Sequence, residues 1–395
     1  MSQSKPAPVG GPIMTRPFKV LLGIFLAGAA AMLYRFALGL GPATALNDGY
    51  PWGIWIAFDV VTGTALACGG YAVALLCYIF NKGKYHPLVR PAILTSALGY
   101  TMAAFSIVLD VGRYWRIWMI PLSPQKWNGT SILLEVALCV MSYMIVLYIE
   151  LSPAFMEKWK EGKEGTLKSL SETFHPVVEK ALPFIIALGL LLPTMHQSSL
   201  GTLTLISRFK LHPLWFSPLA PLLFLLSCVS MGYAAVVIES SLATRYYNRP
   251  RETKILADIS GVMLGILGVY LLLRLADLAV RGRLGLLFAM DRYSLYFLVE
   301  LCLFAAPILL LRSRQARENP QAQFHGAMLM VLAGGLYRFN AYIVAFNPGD
   351  NWSYFPSVLE MLVTFGIIAL EIMLYLVVVK RFPILGGAAP APRLA

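Results

Sequence analysis

Apolar residues recur along the chain in ten long runs, near residues 18–40, 52–80, 88–113, 130–151, 177–200, 214–240, 254–281, 289–312, 322–346 and 355–380. Each holds about 20 or more mainly apolar positions, enough at 1.5 Å per residue to cross about 30 Å of hydrocarbon. Alternation of strand length is scarce, and in lipid every backbone N–H and C=O must be paired internally, which selects helices. The pattern predicts an all-α integral membrane protein of about ten transmembrane helices. A short tail over 1–17 precedes one membrane domain over 18–381, and a second tail follows over 382–395. Both ends, 2–12 and 386–395, are rich in Pro, Gly and Ala and are expected to be disordered. The first run follows Arg16 and Lys19, but it is too long for a signal-peptide core and no small-residue cleavage site closes it, so it reads as an uncleaved span.

Composition supports the bilayer as solvent: 58% of residues are hydrophobic and only 13% charged, against about a quarter charged in soluble domains. The net charge of +12 belongs to the loops rather than to a nucleic-acid surface. With the N-terminus inside, 21 Lys and Arg fall on inner segments and 8 on outer loops, so both termini are expected to be cytoplasmic. The long inner connection, 152–176, mixes Lys158, Lys160, Lys163 and Lys168 with Glu157, Glu161, Glu164 and Glu172, and reads as a solvated helix or flexible connector.

The five cysteines (Cys68, Cys77, Cys139, Cys228, Cys302) lie in apolar runs without a CxxC, which points to small apolar filler and to no iron-sulfur cluster or metal site. A b-type haem between helices calls for two histidines at similar depth. Only His196 is clearly within a span: His86, His175 and His325 fall at or beyond the inner boundary and His212 in an outer loop, so no haem is expected.

Ionisable residues inside spans are costly in hydrocarbon and tend to face a bundle interior or a wet cavity. Arg35, Asp59, Asp110, Arg113, Glu135, His196, Arg274, Asp277 and Glu360 all fall within roughly two turns of the outer face, with Arg338 and Glu300 deeper. Glu371, Glu150, Glu239 and Asp258 lie towards the inner face. Asp110 with Arg113 and Arg274 with Asp277 are i,i+3 pairs that share a helix face, readable equally as neutralised helix ends or as site residues. Glu135 and His196 have no such local partner, and His196 stands beside Gln197, Ser198 and Ser199, a polar pocket in sequence. Tyr100 sits mid-span, where a buried phenol needs a partner and can relay a proton. The aromatics at outer ends, among them Trp52, Trp115 and Trp352, read as an interfacial belt.

Five stretches carry a family resemblance: Pro51-Trp52-Gly53-Ile54-Trp55-Ile56-Ala57-Phe58-Asp59, Tyr85-His86-Pro87-Leu88-Val89-Arg90-Pro91, Asp110-Val111-Gly112-Arg113-Tyr114-Trp115, the segment from Leu192 to Ser199, and Ala345-Phe346-Asn347-Pro348-Gly349. In these the chain resembles the polysulfide-reductase (NrfD-like) family of membrane subunits and, within it, the HybB-type subunits of respiratory nickel-iron hydrogenases. The resemblance implies two four-helix bundles plus additional helices, no haem, and a pocket for menaquinone or ubiquinone near the outer face. It also implies a periplasmic, ferredoxin-like iron-sulfur partner with the nickel-iron large and small subunits, in a bacterial inner membrane. By the same resemblance, Tyr100, Glu135 and His196 are expected to handle quinone or protons, with Asp59, Asp110 and Arg113 around them. A route for protons from Glu239 at the inner face through Tyr100 to Glu135 and His196 completes the expectation.

Two other functions compete. A secondary transporter would also bury charges, but near the midplane at broken helices related by a repeat, and no convincing repeat is visible. A structural or haem-bearing anchor would explain span number but not so many intramembrane acids.

Overall fold

The computed structural model describes residues 5–160, 165–249 and 252–387. Among them are ten helices long and apolar enough to cross a membrane. They are α1 (Arg16–Leu38), α2 (Trp55–Ile79), α3 (Gly83–Asp110), α4 (Ile132–Lys160), α5 (Thr166–Ile206), α6 (Ala220–Tyr247), α7 (Thr253–Val280), α8 (Arg292–Leu310), α9 (Pro320–Val344) and α10 (Val358–Arg381). The protein is a multi-pass all-α membrane protein, and each span lies where the apolar runs predict it. Alternation of ten spans brings both tails to one end of the molecule, called here the termini end; the opposite end is the far end.

Neighbour packing sorts the helices into three groups. Helices α2, α3, α4 and α5 close into one four-helix bundle, and α6, α7, α8 and α9 into a second. The bundles meet where α6 lies against α5 and α2 and where α9 lies against the start of α2. Helices α1 and α10 pair with each other, and α10 also lies on α3 and α2. In lipid no hydrophobic force pulls helices together, so small residues that let backbones approach decide where they meet. A Cβ on Gly28 would stand 2.7 Å from Gly366 Cα, and one on Gly232 2.6 Å from the Cys68 carbonyl oxygen. These glycines set the α1–α10 and α2–α6 contacts.

Helix α2 is irregular. π-Helical turns over Trp55–Thr62 and Leu75–Ile79 flank short α-helical pieces, and the chain turns at Ala67 and Cys68 halfway through the span. A further π turn closes α9 at Asn340–Val344. Such turns re-aim side chains and are frequent at functional sites.

One expectation changes. The ends are not free over residues 5–10: Ala7 N–H donates to Leu385 O (2.9 Å), Val9 N–H to Val379 O (3.0 Å) and Gly10 N–H to Lys380 O (3.1 Å), and Arg249 holds Ala7 O. Extended backbone needs no regular composition to pair, so Pro and Gly content misleads there. Of the two readings of the 152–176 connection, the helical one holds over the described residues: α4 runs on to Lys160 and α5 starts at Thr166, with Ser171 Oγ donating to Met156 O (3.0 Å). Glu161, Lys163, Glu164, Arg251 and Arg393 lie outside the described residues, as do 1–4 and 388–395 of the tails.

Candidate functional site

His196 sits on α5 ten residues before the helix ends at Ile206, which is about 15 Å along the axis. It is therefore near the middle of the membrane, a correction to the expectation that it lies within two turns of the outer face; the helix runs deeper past the apolar run that defined the span. The side chain is completely buried inside the first bundle. Its Nδ1 faces the Leu192 carbonyl oxygen at 2.9 Å. A carbonyl only accepts, so Nδ1 carries the proton and Nε2 the lone pair. Into that lone pair point the Tyr100 hydroxyl at 2.8 Å, from α3, and the Gln197 amide at 3.0 Å. With its own proton directed at His196, the Tyr100 oxygen is left to accept from the Cys68 thiol, 3.3 Å away.

The break in α2 explains how one helix serves this cluster three times. Thr64, Cys68 and Tyr71 meet Gln197 (3.0 Å), Tyr100 (3.3 Å) and Thr194 (2.8 Å) respectively. Tyr143 of α4 packs edge-on to Tyr100, ring centroids 4.6 Å apart. From the second bundle, Arg338 of α9 donates to Gln197 Oε1 (3.2 Å), Phe224 O (2.9 Å) and Ser227 Oγ (3.3 Å). Arg338 is fully buried, so a charge is stationed at the seam between the bundles and oriented by polar atoms from both. Sequence reasoning missed Cys68 as a contact, and it noted Gln197 and Arg338 without joining them to His196.

Glu135 lies in the first turn of α4, at the far end, and accepts from Ser199 Oγ at 2.8 Å. Ser199 is one turn beyond His196 on α5. Two hydrogen-bonded pairs, Glu135 with Ser199 and His196 with Tyr100, thus follow one another from the far end to mid-membrane, separated by one turn of α5. Met119, Trp127 and Ser131 of the loop and Leu134 of α4 line an open pocket of about 330 Å³ at the same end.

Asp59 lies at the far end of α2 and accepts from Thr364 Oγ1 of α10 at 2.9 Å. Asp110 is the last residue of α3, and Arg113 is exposed in the loop beyond it, so the expected helix-face pair is not formed. Arg35 of α1 takes that place: it is buried, donates to Leu109 O (2.5 Å) and Val111 O (2.7 Å), and lies within electrostatic range of Asp110. The other expected pair also rearranges, because Asp277 bonds Arg281 at 2.7 Å, leaving Arg274 over the rings of Phe297 and Tyr337. Glu239 does not meet Tyr100; its partner is the Tyr375 hydroxyl at 2.6 Å.

With this architecture in view, comparison with known proteins defines the class. Residues 43–347 match the model of the polysulphide reductase, NrfD, family, and the chain belongs to that family. It is 39% identical over 383 residues, 96% of its length and 95% of the relative's, to the probable Ni/Fe-hydrogenase 2 b-type cytochrome subunit of Escherichia coli. It is 28% identical over 359 residues, 85% of its length and 83% of the relative's, to the menaquinone reductase integral membrane subunit of Nitratidesulfovibrio vulgaris. A third relative, the Hdr-like menaquinol oxidoreductase integral membrane subunit of Archaeoglobus fulgidus, is 22% identical over 393 aligned positions, 93% of this chain and 92% of the relative's.

The first of these names corrects the expectation of a haem-free chain, since that relative is called a b-type cytochrome subunit. Pairing histidines by depth was too narrow a criterion, because haem iron also takes other axial ligands. Among the described residues, however, the side chains do not fit a bis-histidine haem inside the bundle. Both nitrogens of His196 are engaged by Leu192, Tyr100 and Gln197, and no second histidine stands at its depth. No chemical step is therefore routed through such a group.

Proposed function

We propose that this chain is the quinone-reactive subunit of a membrane oxidoreductase, passing electrons from a separate iron-sulfur partner to menaquinone or ubiquinone. The observation that carries this is the succession of two hydrogen-bonded pairs, Glu135–Ser199 at the far end and His196–Tyr100 at mid-membrane, one helical turn apart on α5. Reduction of a quinone takes two electrons and two protons and yields the quinol. The electrons come from the partner; the protons come from groups that can release and regain them at fixed positions. A phenol hydrogen-bonded to a neutral imidazole, with a carboxylate one helical turn and a serine away, supplies two such groups. Asp59, Asp110 and Arg35 add ionisable groups around the same end.

The relatives named as hydrogenase and menaquinone reductase membrane subunits support this reading. The first relative is named as a hydrogenase subunit, and with the motif resemblance this makes hydrogen the donor and a ferredoxin-like iron-sulfur protein with nickel-iron large and small subunits the partners, docked on the far end. The basic bias of the termini end makes that end cytoplasmic and the far end periplasmic in a bacterial inner membrane.

The test uses the complex purified in mild detergent. Glu135→Gln and His196→Gln are expected to lower hydrogen-driven quinone reduction by a factor of about 10² or more, the scale of lost general acid-base catalysis. Reduction of an artificial dye by the partner subunits should continue at its original rate. Normal quinone reduction in both variants, with the subunit still in the complex, would remove these residues from the site.

A further inference from the structure

The acids that the Glu135–Ser199 and His196–Tyr100 pairs leave unused are not scattered. Helix α10 carries Glu360, Thr364, Glu371 and Tyr375, spaced four, seven and four residues apart. At 100° per residue these positions stay within about 60° of arc and span about 22 Å of rise, most of the hydrocarbon thickness. The stripe faces the first bundle and the seam with α6 rather than lipid. At the far end Glu360 accepts from Ala45 N–H (2.8 Å), Ser357 N–H (2.8 Å) and Tyr354 OH (2.7 Å). One turn deeper Thr364 donates to Asp59. At mid-membrane Glu371 Oε1 lies against Gly99 of α3, 3.2 Å from where a Cβ would stand, and within electrostatic range of Asp59. Glu371 has no hydrogen-bond partner among the described residues. One turn further Tyr375 donates to Glu239 of α6.

Glu239 also opens the file to water. It lines a cavity of about 200 Å³ at the termini end, together with His86, Arg90, Ser240, Thr244 and Glu252. A cavity of that size, polar on several sides, has room for several waters, each needing about 30 Å³. Carboxyls are expensive in a bilayer and mark proton relays when they follow one another in depth. Gly99 leaves the space that Glu371 occupies.

We propose that the α10 stripe is a proton route, separate from the Tyr100–His196 pair, that carries protons from the termini-end cavity to the quinone end. A proton enters at Glu239, passes by Tyr375 to Glu371, and from Glu371 to Asp59 beside Thr364, with water closing the gaps between side chains. Each carboxyl is reprotonated from the one before it, so the file is unchanged after every quinone takes up its two electrons and two protons. This replaces the expected path from Glu239 through Tyr100, and it rests on the quinone-reactive reading above.

The test places the purified complex in sealed lipid vesicles, with hydrogen as donor and a lipid-soluble menaquinone analogue as acceptor. Quinone reduction and a voltage-sensitive dye are followed together. Glu371→Gln and Glu239→Gln should slow quinone reduction at least tenfold and abolish the voltage, while Glu371→Asp, which keeps a titratable group, recovers most of both. Tyr375→Phe, which deletes a hydroxyl and little volume, should slow turnover and raise its solvent deuterium isotope effect, a readout that a packing role would not move. Wild-type rate and voltage in both Gln variants would overturn the route while leaving the quinone reading intact. A wild-type complex that oxidises hydrogen with a dye but never with quinone would overturn the reading and the route with it.

Discussion

A neutral histidine held between a carbonyl and a phenol is placed to accept the proton that the phenol presents. The order Cys68 to Tyr100 to His196 follows from the single fact that Leu192 O can only accept. Tyr100→Phe removes the middle of that order. It should cost about 1 kcal/mol of stability, one buried hydrogen bond, and at least a tenfold loss in quinone reduction, measured as thermal unfolding and turnover of the same preparation. A stability loss without a rate loss would reduce Tyr100 to packing. Arg338→Lys probes the seam: it keeps the charge but shortens the reach of the one terminal nitrogen, Nη2, that meets Gln197, Phe224 O and Ser227 together. Quinone reduction should fall with dye reduction unchanged, and an unaltered rate would show that Gln197 needs no such support. At this scale the sequence was partly legible. Tyr100, Glu135 and His196 stood out because each is a polar group with no local partner in an apolar run. Cys68 and Arg338 did not join them, because their partners lie 32 and 141 positions away and nothing local announces the contact.

Among the elements, α2 has most bearing on competing functions. A helix broken at mid-membrane is what a transporter would use to bind its substrate. Here the break is sealed, because Gly232 of α6 lies so close that a Cβ would stand 2.6 Å from Cys68 O, and that carbonyl already accepts from Ala72 N–H at 2.9 Å. Around the break, Thr64, Cys68 and Tyr71 turn to α3 and α5 instead of to a vestibule. The α1–α10 pair rests on a similar approach, with a Gly366 Cβ only 2.8 Å from Gly28 Cα. Gly366→Leu should force the pair apart at a cost of about 1–3 kcal/mol, seen as a lower unfolding temperature in detergent; an unchanged temperature would mean that this contact does not hold α10 in place. The positions of all ten helices were legible from run length alone, since hydrocarbon thickness dictates it. The π turns and the break were not, because they satisfy backbone groups through neighbours that only the folded bundle supplies. Glu360 and Glu371 were noted only singly, and the stripe on α10 emerged with Asp59, Gly99 and Glu239 arriving from three other helices.

Across the whole molecule, the two bundles and the α1–α10 pair divide the polar chemistry between a seam, a first bundle and an outer stripe, all converging on the far end. In the proposed orientation that end faces away from the cytoplasm, so a reporter fused after Ala395 should be active only in the cytoplasm; periplasmic activity would reverse the side on which quinone and partner meet. The central claim is that quinone binds at the Glu135 end of the first bundle, and photo-crosslinking tests it most directly. A photoreactive menaquinone analogue, illuminated on the intact complex and mapped by mass spectrometry, should label peptides of α4 and α5 around Glu135 and Ser199, with excess menaquinone suppressing the label. Competable labelling confined to the second bundle, or no competable labelling of this chain at all, would contradict the account.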